Sequence, residues 1–129
     1  MEIFSRLIAS FLLITLAPLL MIIALCNLII QGRPIFFTQN RVGKNFDLFK
    51  IYKFRTLRNN QANQKVFQDG SNLDATKWGR FLRRNKLDEL PQLFNILKGE
   101  MRFIGPRPEV PEYVDNESFG YLESIKPGL

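Results

Sequence analysis

Histidine is missing from this 129-residue sequence, and cysteine occurs once, at Cys26. With so few nitrogen and sulfur ligands, zinc and haem sites are disfavoured, and any bound metal is expected to be a hard ion held by carboxylates. A single cysteine also rules out a disulfide framework and indicates a reducing compartment. The length allows one ordinary domain core.

Charged residues are also missing between Arg6 and Arg33, a run of 26 residues. As a helix this run would be about 39 Å long, whereas the hydrocarbon core of a bilayer is about 30 Å thick. It is too long for the apolar part of a signal peptide, and no small-x-small cleavage site follows it. We therefore predict a membrane helix.

Pro18 lies near the middle of the apolar run, with roughly eleven apolar residues on either side, each stretch about 17 Å long as helix. A proline there removes one backbone hydrogen bond and kinks the helix. The helix then either spans the bilayer with a kink, or enters, bends at Pro18 and leaves on the same side. Taken alone, the residues favour a kinked spanning helix, because most apolar segments of this length span.

Acidic residues are scarce in the middle of the chain, where residues 33–108 carry a net charge of +10, whereas residues 109–129 carry −4. The basic section is expected to attract phosphates, nucleic acid or acidic lipid headgroups. Its first part, "RPIFFTQNRVGKNFDLFKIYKFRTL", predicts strands near 35–39 and 46–55 joined by a turn. Lys53 and Arg55 point to one face of the second strand, as a solvated edge or a phosphate-facing rim.

The polar stretch 58–75 is typical of a loop. After it, "TKWGRFLRRNK" predicts an amphipathic helix, with aromatic side chains at the headgroup level and arginines toward anionic lipid.

The stretch "NKLDELPQLFNILKGE" predicts a helix with Asn85 as its N-cap, Asp88 at the carboxylate position of a capping box, and its end at Gly99. A single apolar stripe is expected along it: Leu87, Leu90, Phe94 and Leu97. The helix dipole and nearby cations should favour the ionised form of Asp88. Asp88 and Glu89 are then either a cap beside a solvated glutamate, or carboxylates that hold Mg²⁺ or attack phosphorus. Pro91 opens a turn there, which favours a site.

The stretch "FIGPRPE" holds Arg107 between Pro106 and Pro108, and Gly105 permits a close backbone approach. A guanidinium on such a stiff loop suits bidentate phosphate recognition. A rigid turn with a solvated arginine is the alternative.

Together, these stretches resemble one known family. The apolar segment with its central proline, "GRPIFFTQNRVGKNFDLFKIYKFRTL" and "GRFLRRNKLDELPQLFNILKGEMRFIGPRP" occur in order and with normal spacing. In them the sequence resembles the bacterial sugar transferases, the monotopic phosphoglycosyl transferases. The resemblance implies transfer of a phosphosugar from a nucleotide sugar, usually UDP-linked, to a polyprenol phosphate such as undecaprenyl phosphate. UMP is released, and glycoconjugate or polysaccharide synthesis begins.

The resemblance also implies roles for single residues. Asp88 would be the nucleophile that forms a covalent phosphosugar intermediate, with Mg²⁺ at its carboxylate. Glu89 would deprotonate or position the incoming polyprenol phosphate. The implied candidates for binding substrate phosphate are Arg107, Lys53, Arg55 and Arg83.

In the family the N-terminal helix is re-entrant and bends at a Ser-Pro pair, although Ala17 precedes Pro18 here. The expected fold is α+β and mainly helical. A membrane helix in residues 1–33 precedes a small interfacial domain in residues 34–129, with amphipathic helices and a short β-hairpin. This domain would lie on the cytosolic face of the bacterial inner membrane. Family members continue past the position of Leu129, so the C-terminal part of the family fold is expected to be missing.

Two other interpretations stay open. A membrane-anchored basic module would bind anionic lipid or nucleic acid without catalysis, because aromatic and basic residues alternate at 46–55. Such a module has no use for the carboxylate pair, and we expect no nucleic-acid partner. The second interpretation is a truncated transferase that is not catalytic. An assay of UMP release would distinguish it from an active enzyme. The sequence does not define the sugar, the polyprenol length or the oligomeric state.

Overall fold

The structure is a computed structural model that describes residues 2–57, 75–115 and 117–129. Helices α1 (Glu2–Gln31), α2 (Lys77–Arg84) and α3 (Leu93–Lys98) accompany strands β1 (Phe36–Val42) and β2 (Leu48–Phe54), which form an antiparallel hairpin. Short 3-10 turns lie at Lys44–Phe46, Leu87–Gln92, Pro111–Tyr113 and Gly120–Glu123. The prediction of a mainly helical chain with a short hairpin is confirmed. The predicted loop at 58–75 falls, except for Ala75, outside the described residues.

Helix α1 runs unbroken from Glu2 to Gln31 and includes Pro18. Within the described ranges it is the one helix long and apolar enough to cross a membrane. Large apolar side chains are exposed along it, among them Phe4, Phe11 and Ile29. The predicted helix is therefore confirmed, whereas a bend that returns the chain to one side of the bilayer stays a prediction.

The hairpin matches the prediction with shifted strand limits. Its turn is closed by the Gly43 N–H, which donates to the Asp47 carbonyl at 2.8 Å. Asn45 and Phe46 take positive φ angles of 56° and 60°, which reverse the chain within the turn. Because the turn begins at Gly43, β1 extends to Val42, beyond the end of the strand predicted at 35–39.

The chain divides into two compact units. The first comprises Met1–Leu16, Thr38–Tyr52 and Gln92–Leu129, and the second comprises Ala17–Phe37 and Lys53–Pro91. Each is described by itself. The domain limits 1–33 and 34–129 stay a prediction.

The core of the first unit joins α1, β2 and α3. Its buried side chains are Ala9, Phe49, Ile51, Leu93, Ile96 and Met101. Asn95 is fully buried and docks α3 onto β2: its Nδ2 donates to the Lys50 carbonyl at 2.7 Å, and its Oδ1 accepts the Tyr52 N–H at 3.2 Å. The Nδ2 also donates to the Glu100 carboxylate at 2.7 Å. The buried amide is tolerated because its oxygen and nitrogen both have partners.

The first turns of α1 also bind within the first unit. Arg6 Nε donates to the Leu97 carbonyl at 2.8 Å. The Glu2 carboxylate pairs with Arg102 at 3.2 Å and with Lys126 at 3.0 Å. Polar contacts therefore hold the beginning of α1 against α3 and the segment that follows it.

The core of the second unit is built on the other half of α1. Ile23, Phe54 and Leu82 are buried together. Asn27, 1% exposed, donates through Nδ2 to the carbonyls of Ile35 at 3.1 Å and Arg55 at 3.0 Å. This one side chain thus fixes α1 against both ends of the hairpin segment.

The prediction of a single helix that begins at Asn85 is wrong. Asn85 is the C-cap of α2, and its Nδ2 donates to the Phe81 carbonyl at 2.8 Å. A 3-10 helix at Leu87–Gln92 and then α3 follow, because Lys86 takes a left-handed φ of 58° and Pro91 has no N–H to continue an α-helix. Gly99 ends α3 as predicted, with φ 84°.

The predicted apolar stripe is broken for the same reason. A 3-10 turn has three residues per turn, so the faces shift where α3 begins. Leu87 and Leu90 pack on the second core, whereas Phe94 is 46% exposed. α3 instead buries Leu93 and Ile96.

Candidate functional site

The two adjacent carboxylates lie in the turn that follows α2. The chain leaves α2 at Asn85, and the left-handed Lys86 redirects it into the 3-10 helix. The Glu89 N–H donates to the Lys86 carbonyl at 3.4 Å. Because 3-10 geometry places Asp88 and Glu89 on adjacent corners of a tight turn, their side chains project from the same short segment.

Asp88 is buried, with 8% of its surface exposed, and its Oδ1 has no hydrogen-bond partner among the described residues. Burial raises the pKa of this carboxyl above its ordinary value; Glu89 also raises it, while the charges of Lys53 and Arg83 lower it. The sequence had predicted that all local effects favour the ionised form. That prediction is wrong, because desolvation outweighs the cations.

Lys53, from β2, forms an ion pair with Glu89, its Nζ at 2.9 Å from Oε1. Both side chains are less than a third exposed, which reduces screening by water. The predicted residues Lys53, Asp88 and Glu89 therefore lie in one charged cluster in the second unit.

Arg83, in the last turn of α2, donates from Nε to the Thr56 hydroxyl at 2.9 Å. Its positive charge acts on Asp88, as the effect on the Asp88 pKa shows. Arg83 thus belongs to the same cluster, and its role in phosphate binding stays a prediction. Thr56 is a neighbour that the sequence did not reveal.

Arg55 is 3% exposed and has a different set of partners. Its Nη1 donates to the Arg33 carbonyl at 3.1 Å, and its Nη2 donates to the carbonyls of Gln31 and Gly32. The end of α1 has unsatisfied carbonyls, which a buried guanidinium satisfies. The structure therefore places Arg55 at the end of the helix, and its part in phosphate binding stays a prediction.

Arg107 belongs to the first unit and is exposed. Its loop is held from both sides. A Cβ on Gly105 would lie 2.7 Å from the Gly128 nitrogen, so the predicted close backbone approach is confirmed. Arg41 Nη1 donates to the Pro108 carbonyl at 3.1 Å, and the Val42 N–H donates to the Glu109 carbonyl at 3.0 Å.

Arg41 was not among the predicted residues, although it lies in the quoted "NRVGKN" stretch. Burial lowers the pKa of its guanidinium, and the neighbouring positive charge of Arg107 lowers it further. Two guanidinium groups thus act on each other at this loop, an arrangement that an anion would stabilise. The sequence offered no signal for it, because the partner of Arg41 is a backbone carbonyl 67 residues away.

Mg²⁺ was expected at Asp88. In the described parts of the chain no group of three or more His, Cys, Asp or Glu side chains lies together. Mg²⁺ does not need such a group, since it commonly binds through one or two carboxylates with water and substrate phosphates. The Asp88 Oδ1, which has no hydrogen-bond partner in the part of the chain that the structure describes, and the adjacent Glu89 carboxylate fit that requirement.

Comparisons with known proteins add the family. The family model described as bacterial sugar transferase matches residues 1–129. A UDP-N-acetylgalactosamine-undecaprenyl-phosphate N-acetylgalactosaminephosphotransferase of Aeromonas hydrophila is 37% identical over 119 residues, 88% of this chain and 28% of that protein. A UDP-glucose:undecaprenyl-phosphate glucose-1-phosphate transferase of Klebsiella pneumoniae is 37% identical over 130 residues, 95% of this chain and 28% of that protein.

A Bacillus subtilis relative, whose name refers to undecaprenyl phosphate and N-acetylgalactosaminyl 1-phosphate transfer, is 40% identical over 125 residues, 92% of this chain and 70% of that protein. The chain thus spans less than a third of the length of the first two relatives. The match extends over the whole sequence and includes the carboxylate turn and the Arg107 loop. The chain therefore belongs to the bacterial sugar transferase family.

Proposed function

We propose that this chain transfers a sugar phosphate from a nucleotide sugar, with UDP sugars as the expected class, to a membrane polyprenol phosphate. The reaction would release UMP and initiate polysaccharide or glycoconjugate synthesis. The observation that carries the proposal is the buried Asp88 carboxyl, whose Oδ1 has no hydrogen-bond partner among the described residues. A buried carboxyl without full pairing costs stability, and such groups concentrate at reactive sites. The names of the relatives support the substrate classes.

The first half-reaction begins with an Asp88 carboxylate oxygen attacking the phosphorus that carries the sugar. An O–P bond to Asp88 forms, the bond from phosphorus to the bridging oxygen breaks, and UMP leaves with that oxygen. In the second half-reaction an oxygen of the polyprenol phosphate attacks the same phosphorus. The Asp88–phosphorus bond breaks, which restores the carboxylate and yields a polyprenol diphosphosugar.

Other charged residues of the chain would support these steps. Lys53 and Arg83 lower the pKa of Asp88 against the effect of burial, which favours the nucleophilic anion. Glu89 positions the incoming phosphate and takes its proton while Lys53 holds the Glu89 carboxylate at 2.9 Å. Arg107 binds a substrate phosphate, and Arg55 contributes charge from its fixed position at the end of α1. Mg²⁺ bound at Asp88 would offset negative charge on the diphosphate as UMP departs.

We place the reaction at the cytosolic face of the bacterial inner membrane, with α1 re-entrant and bent at Pro18. In support, Glu2 pairs with Arg102 and Lys126 near the start of α1. A helix that carried its N-terminus across the bilayer would separate these partners by about 30 Å of hydrocarbon. Nucleotide sugar would approach from the cytosol and polyprenol phosphate from the membrane surface.

The test is UMP release by the detergent-solubilised chain, measured with Mg²⁺, polyprenol phosphate and a panel of UDP sugars. Asp88→Asn should abolish UMP release and also the labelled phosphosugar adduct on the protein. Asp47→Asn is the matched control, since Asp47 is an exposed carboxylate in the hairpin turn. Release of UMP by the Asp88→Asn protein at near wild-type rate would refute the covalent mechanism. No release by wild type with any sugar would refute the proposed function of this chain.

A further inference from the structure

Thr56 is the second residue after the end of β2 at Phe54 and is 5% exposed. Helix α2 meets it at two points. A Cβ on Gly79 would lie only 2.0 Å from the Thr56 carbonyl oxygen, so the two backbones are packed as closely as glycine permits. The Thr56 Oγ1 accepts the Nε–H of Arg83 at 2.9 Å. One residue thus contacts both the backbone and a side chain of α2.

The two contacts are related by helix geometry. Gly79 and Arg83 are four residues apart and lie on the same face of α2. The contact at Gly79 sets the distance of the helix from Thr56. The hydroxyl then binds Arg83 at Nε, the atom closest to the stem of the guanidinium, which limits its rotation. The hydrogen bond at Nε therefore removes some of the rotamers that a long arginine side chain can adopt.

We propose that Thr56 is a positioning residue that holds the Arg83 guanidinium beside the Asp88 carboxyl, where the sugar-bearing phosphorus is attacked. Thr56 touches no substrate in this scheme and acts through Arg83. The inference rests on the proposed function, because the orientation of the Arg83 guanidinium affects the rate only if the reaction takes place at Asp88. The electrostatic effect of Arg83 on Asp88 supports the placement.

Five proteins test it by UMP release: wild type, Thr56→Val, Thr56→Ser, Arg83→Gln, and Arg83→Gln combined with Thr56→Val. Valine keeps the shape and removes the hydroxyl, whereas serine keeps the hydroxyl. We expect Thr56→Val to lower kcat by at least about tenfold and Thr56→Ser by less than about threefold. In the Arg83→Gln background, Thr56→Val should have no further effect. An equal loss in both backgrounds would show that Thr56 acts on the fold alone and would overturn the inference.

A second readout does not depend on activity. In NMR spectra of the ¹⁵Nε-arginine-labelled chain, the Nε–H resonance of Arg83 is identified by its absence from Arg83→Lys. This resonance should be protected from solvent exchange in wild type and in Thr56→Ser. It should be unprotected in Thr56→Val. Equal protection in Thr56→Val overturns the inference even if the chain is active. If wild type releases no UMP, the proposed function fails and the catalytic role of Thr56 fails with it. The spectra then still decide whether the hydrogen bond exists.

Discussion

Trp78 donates its indole Nε1–H to the Asn27 Oδ1 at 2.6 Å. The bond joins the amphipathic helix α2 to the apolar helix α1 across 51 positions of sequence. The same Oδ1 accepts a bond from Gln31 Nε2 at 3.1 Å, and the Asn27 Nδ2 donates to two backbone carbonyls. Every polar atom of this buried amide is therefore paired.

Asn27→Leu should destabilise the protein by roughly 2–4 kcal/mol, because it removes the acceptor of the Trp78 N–H and one of the donors to each of the Ile35 and Arg55 carbonyls. The control is Thr15→Val, since the exposed Thr15 hydroxyl donates to the carbonyls of Phe11 and Leu12 within its own helix. Thermal unfolding in detergent measures both. A loss for Asn27→Leu no larger than that for Thr15→Val would contradict the tertiary role of Asn27.

Gly79→Ala should prevent α2 from packing against the end of β2. The new Cβ would lie 2.0 Å from the Thr56 carbonyl oxygen, which is backbone and cannot rotate away. We expect a loss of about 3 kcal/mol or more. Gly120→Ala serves as the control, because among the described residues no atom outside its own chain neighbours lies within 4 Å of its added Cβ. Similar melting temperatures for the two variants would refute this packing.

The sequence predicts those parts of the fold that are decided within a short window. The 26 uncharged residues predict α1, the turn residues at 43–45 predict the hairpin, and the spacing of Trp78 and Leu82 predicts α2. All three depend on local periodicity and turn chemistry. The candidate carboxylates and Arg107 were also found from the sequence, since their motif is local.

The sequence does not predict what tertiary packing decides. Asp88 is buried because Leu87 and Leu90, on either side of it, pack on the second core, and no local pattern shows this. Its pKa therefore shifts opposite to the local expectation. Thr56 and Arg41 bind groups 27 and 67 residues away. Their roles become visible only when these distant segments meet.

Asp88→Asn should make the protein more stable at neutral pH while it abolishes activity. Burial raises the pKa of Asp88 in the folded state above its value in the unfolded state. At a pH between these two pKa values, Asp88 is deprotonated in the unfolded state and still protonated in the folded state. Stability of wild type therefore falls as pH rises through this window. Below a pH of about 3.9 both states are protonated and this loss is absent.

Thermal unfolding of both proteins from pH 3.5 to 7, in EDTA to exclude metal ions, measures the effect. The difference in Tm should grow with pH and reach roughly 2–5 °C at neutrality. The charged groups around Asp88, namely Lys53, Glu89 and Arg83, are the same in both proteins. A difference that shrinks with pH would show that the carboxylate stabilises the fold.

Lys53→Met should lower UMP release by roughly ten- to a hundredfold. The substitution removes the partner of Glu89 at 2.9 Å and the largest effect that lowers the Asp88 pKa, so less of Asp88 is ionised. Lys50→Met is the matched control, because Lys50 is exposed on the same strand. If the two variants lose activity equally, net charge and not the cluster at Asp88 governs the rate.

The course of α1 through the membrane is tested by cysteine labelling. Glu2 and Arg6 bind Arg102, Lys126 and the Leu97 carbonyl, so both ends of the helix are expected on the cytosolic side. In a Cys26→Ala background, Ser5→Cys and Lys44→Cys should both resist a membrane-impermeant thiol reagent added to intact cells, and both should react once the cells are opened. Labelling of Ser5→Cys from outside would establish a spanning helix. Pro18→Leu supplies the missing N–H and removes the ring that favours a bend, so it should shift labelling of Ser5→Cys toward that spanning pattern.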